Sequence, residues 1–554
     1  MAVTLPSHCK TGHGVEVPLA LLKHDPHTEP GSLNKSDRAM KAPPAHHTDL
    51  AHGGRPDAVR TSSPIVAAHR RTSPYQHVAG LGRHHNKIAP LIGLERELLL
   101  GMTRDAQLLS ARQAALLRWA LALGRMVLIQ TPEGHDVDVS GPLEPFREWL
   151  TDNLQRAIQP EAHAIDGAAL RSMCPAVAAR VQAARDLLLT HFVQDFGAAH
   201  LDAELMHKEL VLVLGGGGGS GFVHLATFGL VEELGLTPRL IVGSSMGSLL
   251  GLFRAMRIDY DHEATLLAVP RSFDLTSVLS TFTGNTRFGF PGLFHMQLLR
   301  AASNILTHLF GSPRVPRFSE LPIRFEAVST GVRTGFAGSE IQRQVLQSAQ
   351  PSMSPFALRR RMQLFIDIAR QLAANPQLLR QIVFGYEEGT WDFATVEAVG
   401  FSCSVPGLLH YDVFHDDPHT VSTLEAIAER HQLWRLTDGG VVNNVPSRVA
   451  WESVMRGSIG SRNAFILAGD AFAPTGSNFL FTPIQQITRP AVLANRRFSD
   501  FHKTFKSTPN PINLTPGYAK LQRVVAKAID EYAPDRDYLK LAMSSLPPFG
   551  EWSR

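Results

Sequence analysis

Two successive strand–turn–helix junctions between residues 210 and 255 constrain the fold of this chain more than any other feature. Residues 210–214 are all apolar, which is typical of a strand buried on both faces of a parallel sheet. The glycine run Gly215–Gly219 ends this strand, and apolar residues at spacings of three then predict a helix. Residues 240–242 begin a second unit of the same kind, whose turn is Gly243–Gly247. The pattern predicts an α/β fold with a central, mostly parallel sheet.

The second turn reads G-x-S-x-G, and its central serine is Ser245. In such an elbow the serine lies on a sharp, strained turn between strand and helix, so its hydroxyl stands clear of the sheet edge. Glycine is needed at positions 243 and 247 for a steric reason, because strand and helix cross too closely there for side chains. Backbone amides at the helix start can stabilise a developing anion. Ser245 is therefore a candidate nucleophile.

The glycine run also fits a different function. Gly216, Gly218 and Gly221 satisfy G-x-G-x-x-G, a pattern found in dinucleotide-binding proteins. That pattern requires an acidic residue about 20 positions later at a second strand end, where the chain reads Ile241-Val242-Gly243-Ser244. A Walker phosphate loop is excluded because no Gly-Lys-Ser/Thr closes the run. Nucleotide binding is therefore disfavoured.

The ordered motifs resemble those of the patatin-like phospholipases, a family of lipid acyl hydrolases. The family's glycine turn, G-G-G-x-R/K-G, is matched by residues 216–221, and its G-x-S-x-G elbow follows in the expected order. The family's third motif, D-G-G/A, is present as Asp438-Gly439-Gly440. The resemblance covers roughly residues 209–450. It implies a three-layer α/β fold and hydrolysis of fatty-acyl esters in phospholipids or glycerolipids.

The resemblance also implies a mechanism and a set of site residues. Ser245 would act with Asp438 as a Ser–Asp dyad without histidine, forming an acyl-enzyme on the serine. Backbone amides of the glycine turn would hold the oxyanion, with Gly216, Gly217 and Gly218 as the candidates. Further glycines would support the turns: Gly221, Gly243, Gly247, Gly439 and Gly440. Neither a metal nor a cofactor is expected.

One position departs from the family pattern. Ser220 stands where many family members carry Arg or Lys. Loss of this cation implies weaker affinity for anionic lipid head groups. A glycine turn without the cation also resembles that of the triacylglycerol-lipase branch of the family. The expected partner is a lipid at a membrane or lipid-droplet surface, and both phospholipids and neutral glycerides stay open as substrates.

Three rival interpretations use other residues. An α/β-hydrolase triad in the order Ser, Asp, His would need His431 or His502 as its base, and neither has a supporting motif. Cys403 is a possible nucleophile, but free cysteines are commonly buried and inert. A non-catalytic lipid-binding protein of the same fold is favoured only by Ser220, whereas the intact Ser245 and Asp438 argue against it.

Composition limits the partners and the compartment. A net charge of +4 from 54 basic and 50 acidic residues gives no basic field for nucleic acid. Three widely spaced cysteines predict a reducing compartment, so the cytoplasm is expected, with peripheral attachment to a membrane as an option. Residues 1–20 lack the features of a signal peptide. Residues 114–129 are too short to span a bilayer and contain two arginines.

Shifts in composition divide the chain into four predicted regions. They are a disordered His/Pro/Gly-rich tail (1–88), a helical N-terminal domain (89–205), the patatin-like catalytic domain (206–455) and a C-terminal strand and helical extension (456–554). Within the catalytic region, residues 356–384 are predicted to form one long basic amphipathic helix. Packing on the core with solvated arginines is the favoured interpretation of this helix, and a lid or lipid-docking element is the alternative hypothesis.

Overall fold

A computed structural model describes most of the chain beyond residue 80. The described residues are 81–160, 163–272, 278–281, 286–298, 303, 314–336, 340, 343–345, 355–413, 417–474 and 482–553. They belong to one compact unit. The predicted tail up to residue 80 lies outside the described residues.

Strands and helices alternate through the second half of the structure. The strands are β1 (Leu128–Gln130), β2 (Asp136–Asp138), β3 (Ile158–Gln159), β4 (Ala164–Ile165), β5 (Glu209–Leu214), β6 (Leu240–Ser244), β7 (Leu279–Thr281), β8 (Gly292–Met296), β9 (Arg324–Arg333), β10 (Leu379–Phe384), β11 (Gly407–His410), β12 (Leu433–Asp438), β13 (Ala464–Asp470) and β14 (Phe501–Thr504). The described α-helices are α1 (Leu81–Arg104), α2 (Ala111–Arg125), α3 (Glu144–Ala157), α4 (Gly167–His191), α5 (Ala198–Met206), α6 (His224–Glu233), α7 (Met246–Ala255), α8 (His262–Ser272), α9 (Pro355–Ala374), α10 (Thr395–Ser402), α11 (Pro418–His431), α12 (Gly440–Asn443), α13 (Ser447–Met455), α14 (Thr482–Arg496), α15 (Tyr518–Asp530) and α16 (Arg536–Met543).

Seven of the described strands form the central sheet. Their order is β10-β9-β6-β5-β13-β14, and β12 also pairs with β9. The pairs β9–β6, β6–β5, β5–β13 and β13–β14 are parallel, whereas β10 and β12 run antiparallel to β9. The prediction of a largely parallel central sheet is confirmed.

Strand β5 shows why the sheet carries helices on both faces. Leu210, Leu212 and Leu214 point into one apolar cluster, which contains residues of α6, α7 and α15. Val211 and Val213 point into another, which contains residues of α13. Because successive side chains of a strand point to opposite faces, a wholly apolar strand requires cover on both sides. The result is the predicted three-layer α/β arrangement.

The N-terminal helices pack around a separate apolar cluster. Helices α2 and α4 contribute the two largest shares of it, and Leu546 from the C-terminal end joins them. Helix α1 begins at Leu81, so the predicted tail boundary at residue 88 was wrong for residues 81–88. The start of this helix was not predicted because polar residues dominate the sequence pattern over residues 81–88. Its buried face contains His84 and His85 beside Leu81 and Ile88. None of the described helices combines the length and the apolar character needed to cross a bilayer.

The region predicted as one helix over 356–384 consists of two elements. Helix α9 ends at Ala374, and Leu379–Phe384 forms β10, the strand that pairs with β9. The prediction was wrong for the second part because short apolar runs fit either helix or strand, and Pro376 breaks the helix between them. The side chains of Arg359, Arg360 and Arg361 lie outside the described residues.

The C-terminal extension completes the central sheet. Strand β13 inserts between β5 and β14, with Ala464–Gly469 paired to Glu209–Leu214. Helix α14 lies between β13 and β14 along the chain. Strands β13 and β14, which lie beyond residue 455, are therefore a structural part of the α/β layer.

A buried charge network ties the N-terminal helices to the extension. Arg125 forms ion pairs with Glu95 and Asp500, and Lys208 pairs with the same Glu95. Burial opposes ionisation of Glu95, but the two cations hold its pKa at about 2. The second carboxylate oxygen of Asp500 accepts the N–H of Ile466 in β13 at 2.8 Å.

Replacing Arg125 by methionine is expected to lower the free energy of unfolding by about 3–5 kcal/mol, because it leaves buried carboxylates without their shared cation. Denaturant titration measures the difference. Arg112→Met on the same helix is the control, since Arg112 is exposed. Equal stability of the two variants would show that the network contributes little.

Candidate active site

Strand register brings the two catalytic candidates together. Strand β6 pairs with β9 and ends with Ser244 opposite Val328. Strand β12 pairs with the same edge of β9 from the other direction and ends with Asp438 opposite Ser329. The carboxyl ends of the two strands therefore meet end to end, opposite consecutive residues of β9. Ser245, which follows β6 directly, meets the end of β12.

The backbone of Ser245 is strained. Its φ of 51° and ψ of −129° lie outside the regions favoured by residues with a side chain. The flanking glycines permit this turn: a Cβ on Gly243 would lie 2.4 Å from Ser248 Cα, and a Cβ on Gly247 would lie 2.1 Å from Leu214 O. The steric reason predicted for both glycines is confirmed. The elbow directs Ser245 into a cavity rather than into the core.

The glycine turn lies against the elbow. Gly216 packs so closely that an added Cβ would be 2.8 Å from Ser245 Cβ. Its own N–H donates to Asn444 O at 3.2 Å. Gly217 and Gly218 both have positive φ and line the cavity. Their N–H groups donate no hydrogen bond within the part of the chain that the structure describes, so these two amides are available to an oxyanion, whereas that of Gly216 is occupied.

Asp438 is held by the loop that follows β12. Its Oδ1 accepts the N–H of Gly440 at 2.7 Å, while Oδ2 is buried without a well-formed hydrogen bond among the described residues. Burial raises the pKa of Asp438 to about 6, although interactions with the Ser245 side chain and the Gly440 amide lower it. This oxygen can accept a hydrogen bond from the Ser245 hydroxyl.

Close backbone contacts fix this loop. A Cβ on Gly439 would lie 2.0 Å from Val328 O, and one on Gly440 would lie 2.9 Å from Asp438 Oδ1. Gly221 likewise packs against Met246 of the elbow helix, with 2.6 Å from its added Cβ to Met246 Cγ. These glycines let three turns converge on one point.

Ser402 connects the serine elbow to the aspartate loop. Its hydroxyl accepts the N–H of Ser245 at 2.9 Å and donates to Val328 O at 2.5 Å. Its carbonyl accepts the N–H of Gly439 at 3.1 Å, and the neighbouring carbonyl of Ser404 accepts that of Asp438 at 2.9 Å. The sequence alone did not predict a role for Ser402. A serine gives no distinctive signal when its partners are backbone groups far away in the chain.

Ser402→Ala is expected to lower kcat/KM about 10- to 100-fold, because the elbow loses a fixed hydrogen bond and Ser245 shifts. The buried N–H of Ser245 also loses its acceptor, which should cost about 1–3 kcal/mol of stability. Steady-state kinetics and denaturant titration measure both effects. Ser422→Ala, at an exposed helix position, is the control; an unchanged kcat/KM in Ser402→Ala would contradict the positioning role.

The serine and the aspartate open into one mainly apolar cavity of about 300 Å³. Asp438 is the one ionisable side chain among the described residues that line it. The apolar wall comes from several elements, and its larger members include Leu279, Phe294, Leu372, Leu409, Phe472 and Leu514. Such a lining suits an acyl chain.

Neither rival histidine lines this cavity. His431 bonds Glu387 at 2.7 Å, and His502 lies in β14, where burial lowers its pKa to about 4. Cys403 is buried; desolvation, with a smaller contribution from Asp438, raises its thiol pKa far above the usual range. These positions do not support a triad or a cysteine nucleophile.

Two residues beside the glycine turn have structural roles. The Ser220 hydroxyl donates to Gly217 O at 2.7 Å, and its side chain is buried. His224 Nε2 lies 2.8 Å from Gly215 O, and burial lowers the pKa of this histidine to about 4. Both side chains therefore hold the turn in place rather than facing the cavity.

Comparison with known proteins identifies a family for this part of the chain. Residues 212–451 match the family model of the patatin-like phospholipases. This interval contains the glycine turn, the elbow and the aspartate loop. A search of curated proteins found no match to the chain.

Proposed function

Because residues 212–451 form a patatin-like phospholipase domain, the chain is a hydrolase of the lipid acyl hydrolase class, and we propose that it cleaves fatty-acyl esters through Ser245 and Asp438. The strand register of the central sheet supports this proposal. Strands β6 and β12 end at consecutive residues of β9, and both side chains line one mainly apolar cavity.

In the proposed reaction, ionised Asp438 accepts the proton of Ser245 as Oγ attacks the ester carbonyl. The amides of Gly217 and Gly218 donate to the oxyanion. Collapse of the tetrahedral intermediate breaks the bond to the alcohol oxygen, which takes the proton from Asp438. Water then attacks the acyl-enzyme, giving its proton to Asp438, and the fatty acid leaves as Ser245 recovers its proton.

The cavity mouth supports a lipid as the substrate. Phe294 is 40 % exposed and Ile512 is 59 % exposed, and both residues line the cavity. Exposed apolar side chains at the entrance allow a lipid molecule to enter from an apolar surface without crossing water. The proposed site of action is therefore the surface of a membrane or a lipid droplet.

Fatty-acid release from vesicles that contain both phospholipid and triacylglycerol tests the proposal. We expect the purified protein to release fatty acid with chelator present, and the consumed lipid identifies the substrate class. Binding to the vesicles without any release would contradict catalysis and favour a non-catalytic lipid-binding protein.

The pH profile gives a second test. Asp438 must be ionised to act as the base, and burial raises its pKa to about 6. We therefore expect kcat/KM to fall below pH 6 with the slope of a single proton and to level off above it. An acid limb centred near pH 4, the ordinary range of an aspartate, would contradict the assignment.

A further inference from the structure

A second, smaller cavity adjoins the catalytic one. It has a volume of about 100 Å³, and its wall shares Asn444, Phe472 and Thr488 with the catalytic cavity. Drug-sized ligands occupy about 300–1,000 Å³, so this side pocket fits only a small group. Its other walls come from β13, α14 and β14, beyond the interval that matches the family.

Buried polar atoms in the side pocket lack partners. Gln485 is 3 % exposed, and its Oε1 forms no hydrogen bond with the described residues. The same is true of Nδ1 of His502, whose ring is neutral at pH 7 because burial lowers its pKa to about 4. Each buried polar group without a partner costs about 1–3 kcal/mol. A small polar ligand would satisfy both.

The chemistry of the pocket favours hydroxyl groups. Asp470 is 6 % exposed and presents acceptor oxygens, one of which binds the N–H of Phe472 at 3.0 Å. Together with Gln485 Oε1, it would repel a buried phosphate. Arg489 and Arg496 also line the pocket, but both side chains are exposed. The positive charge of each interacts with the carboxyl group of Asp470. A neutral polyol can donate to the acceptors and accept from the imidazole.

We propose that the side pocket binds the polyol part of the ester substrate, so that the preferred substrate is a fatty acid ester of a small neutral polyol such as glycerol. This inference rests on the proposed function of the adjoining dyad. The acyl chain would occupy the apolar cavity and the polyol the side pocket. The ester bond then lies between them, beside Ser245.

The shared wall links the side pocket to the oxyanion turn. Asn444 O accepts the N–H of Gly216. Phe472 packs on the next residue, since a Cβ on Gly217 would be 3.2 Å from Phe472 Cβ. A polyol seated against Asn444 and Phe472 is therefore close to the reacting carbonyl. Occupation of the side pocket determines which alcohol leaves.

Specificity ratios test the proposal. The measurement compares kcat/KM for a monoacylglycerol, the methyl ester of the same fatty acid and a lysophospholipid with the same chain. We expect the parent protein to prefer the monoacylglycerol to the methyl ester by about 10-fold, and Gln485→Leu to abolish this preference, the size expected for one lost hydrogen bond. Gln486→Leu, the exposed neighbour on α14, should keep it. A ratio unchanged by Gln485→Leu, or a parent preference for the lysophospholipid, would overturn the assignment.

A binding measurement separates this proposal from the proposed function. Ser245→Ala is titrated with a monoalkylglycerol ether, which cannot be hydrolysed. Adding Gln485→Leu should weaken binding about 10-fold, and adding Gln486→Leu should not. Equal affinity in both double variants would overturn the polyol pocket even if the parent hydrolyses esters. Failure to hydrolyse any ester, with the affinity difference intact, would overturn the catalytic proposal instead.

Discussion

Replacing Ser245 by alanine is expected to lower kcat/KM for fatty-acid release by more than about 10³-fold. The reaction as proposed has no other nucleophile, and the remaining oxyanion donors and cavity supply only residual rate enhancement. The backbone should keep its geometry, because alanine at φ 51° carries the same strain as serine. Affinity for a non-hydrolysable lipid should therefore persist.

Ser244→Ala is the matched control for this loss. Ser244 is the last residue of β6, is fully buried and forms no side-chain hydrogen bond with the described residues. Its replacement should leave kcat/KM within a few-fold of the parent. Comparable activity in Ser245→Ala and the parent would contradict Ser245 as the nucleophile.

Asp438→Asn is expected to lower kcat/KM by about 10³-fold or more while stabilising the fold near neutral pH. The loss follows because an amide cannot accept the proton of Ser245. The gain follows because the parent must keep a buried carboxylate ionised above pH 6. A pKa raised from 3.8 to about 6 corresponds to about 3 kcal/mol.

The sign of the stability effect depends on pH. Below pH 4 the carboxyl group is protonated in both the folded and the unfolded state, so parent and variant should differ little. Between pH 4 and 6 the unfolded parent loses its proton first, and the parent loses stability relative to the variant as pH rises. Denaturant titrations of both proteins across this range measure the difference. Asp537→Asn, at an exposed helix position, should show no such trend, and a pH-independent difference for Asp438→Asn would contradict the raised pKa.

The sequence predicted the architecture of the matched region well. Strands β5 and β6 carry uninterrupted apolar runs, and the glycine turns that end them have few alternative conformations. Those local signals predicted both the parallel sheet and the elbow. The match over residues 212–451 confirms the resemblance to patatin-like phospholipases, while the roles of Ser245 and Asp438 stay predictions.

Other features depend on contacts that no local pattern contains. Strand β10 was predicted as helix because the spacing of its apolar residues fits a helix as well as a strand. Only pairing with β9 selects the strand. The occupied amide of Gly216 follows from Asn444, which is more than 200 residues away in the chain. The bridging role of Ser402 and the side pocket around Gln485 likewise arise only when distant segments meet.

Covalent labelling measures directly whether Ser245 is a nucleophile activated by Asp438. The parent protein, Ser245→Ala and Asp438→Asn are each treated with a fluorophosphonate, and the modified peptide is located by mass spectrometry. We expect one adduct on Ser245 in the parent, none in Ser245→Ala and much slower labelling in Asp438→Asn. An adduct on another residue, or equal labelling rates in the parent and Asp438→Asn, would contradict a nucleophile activated by Asp438.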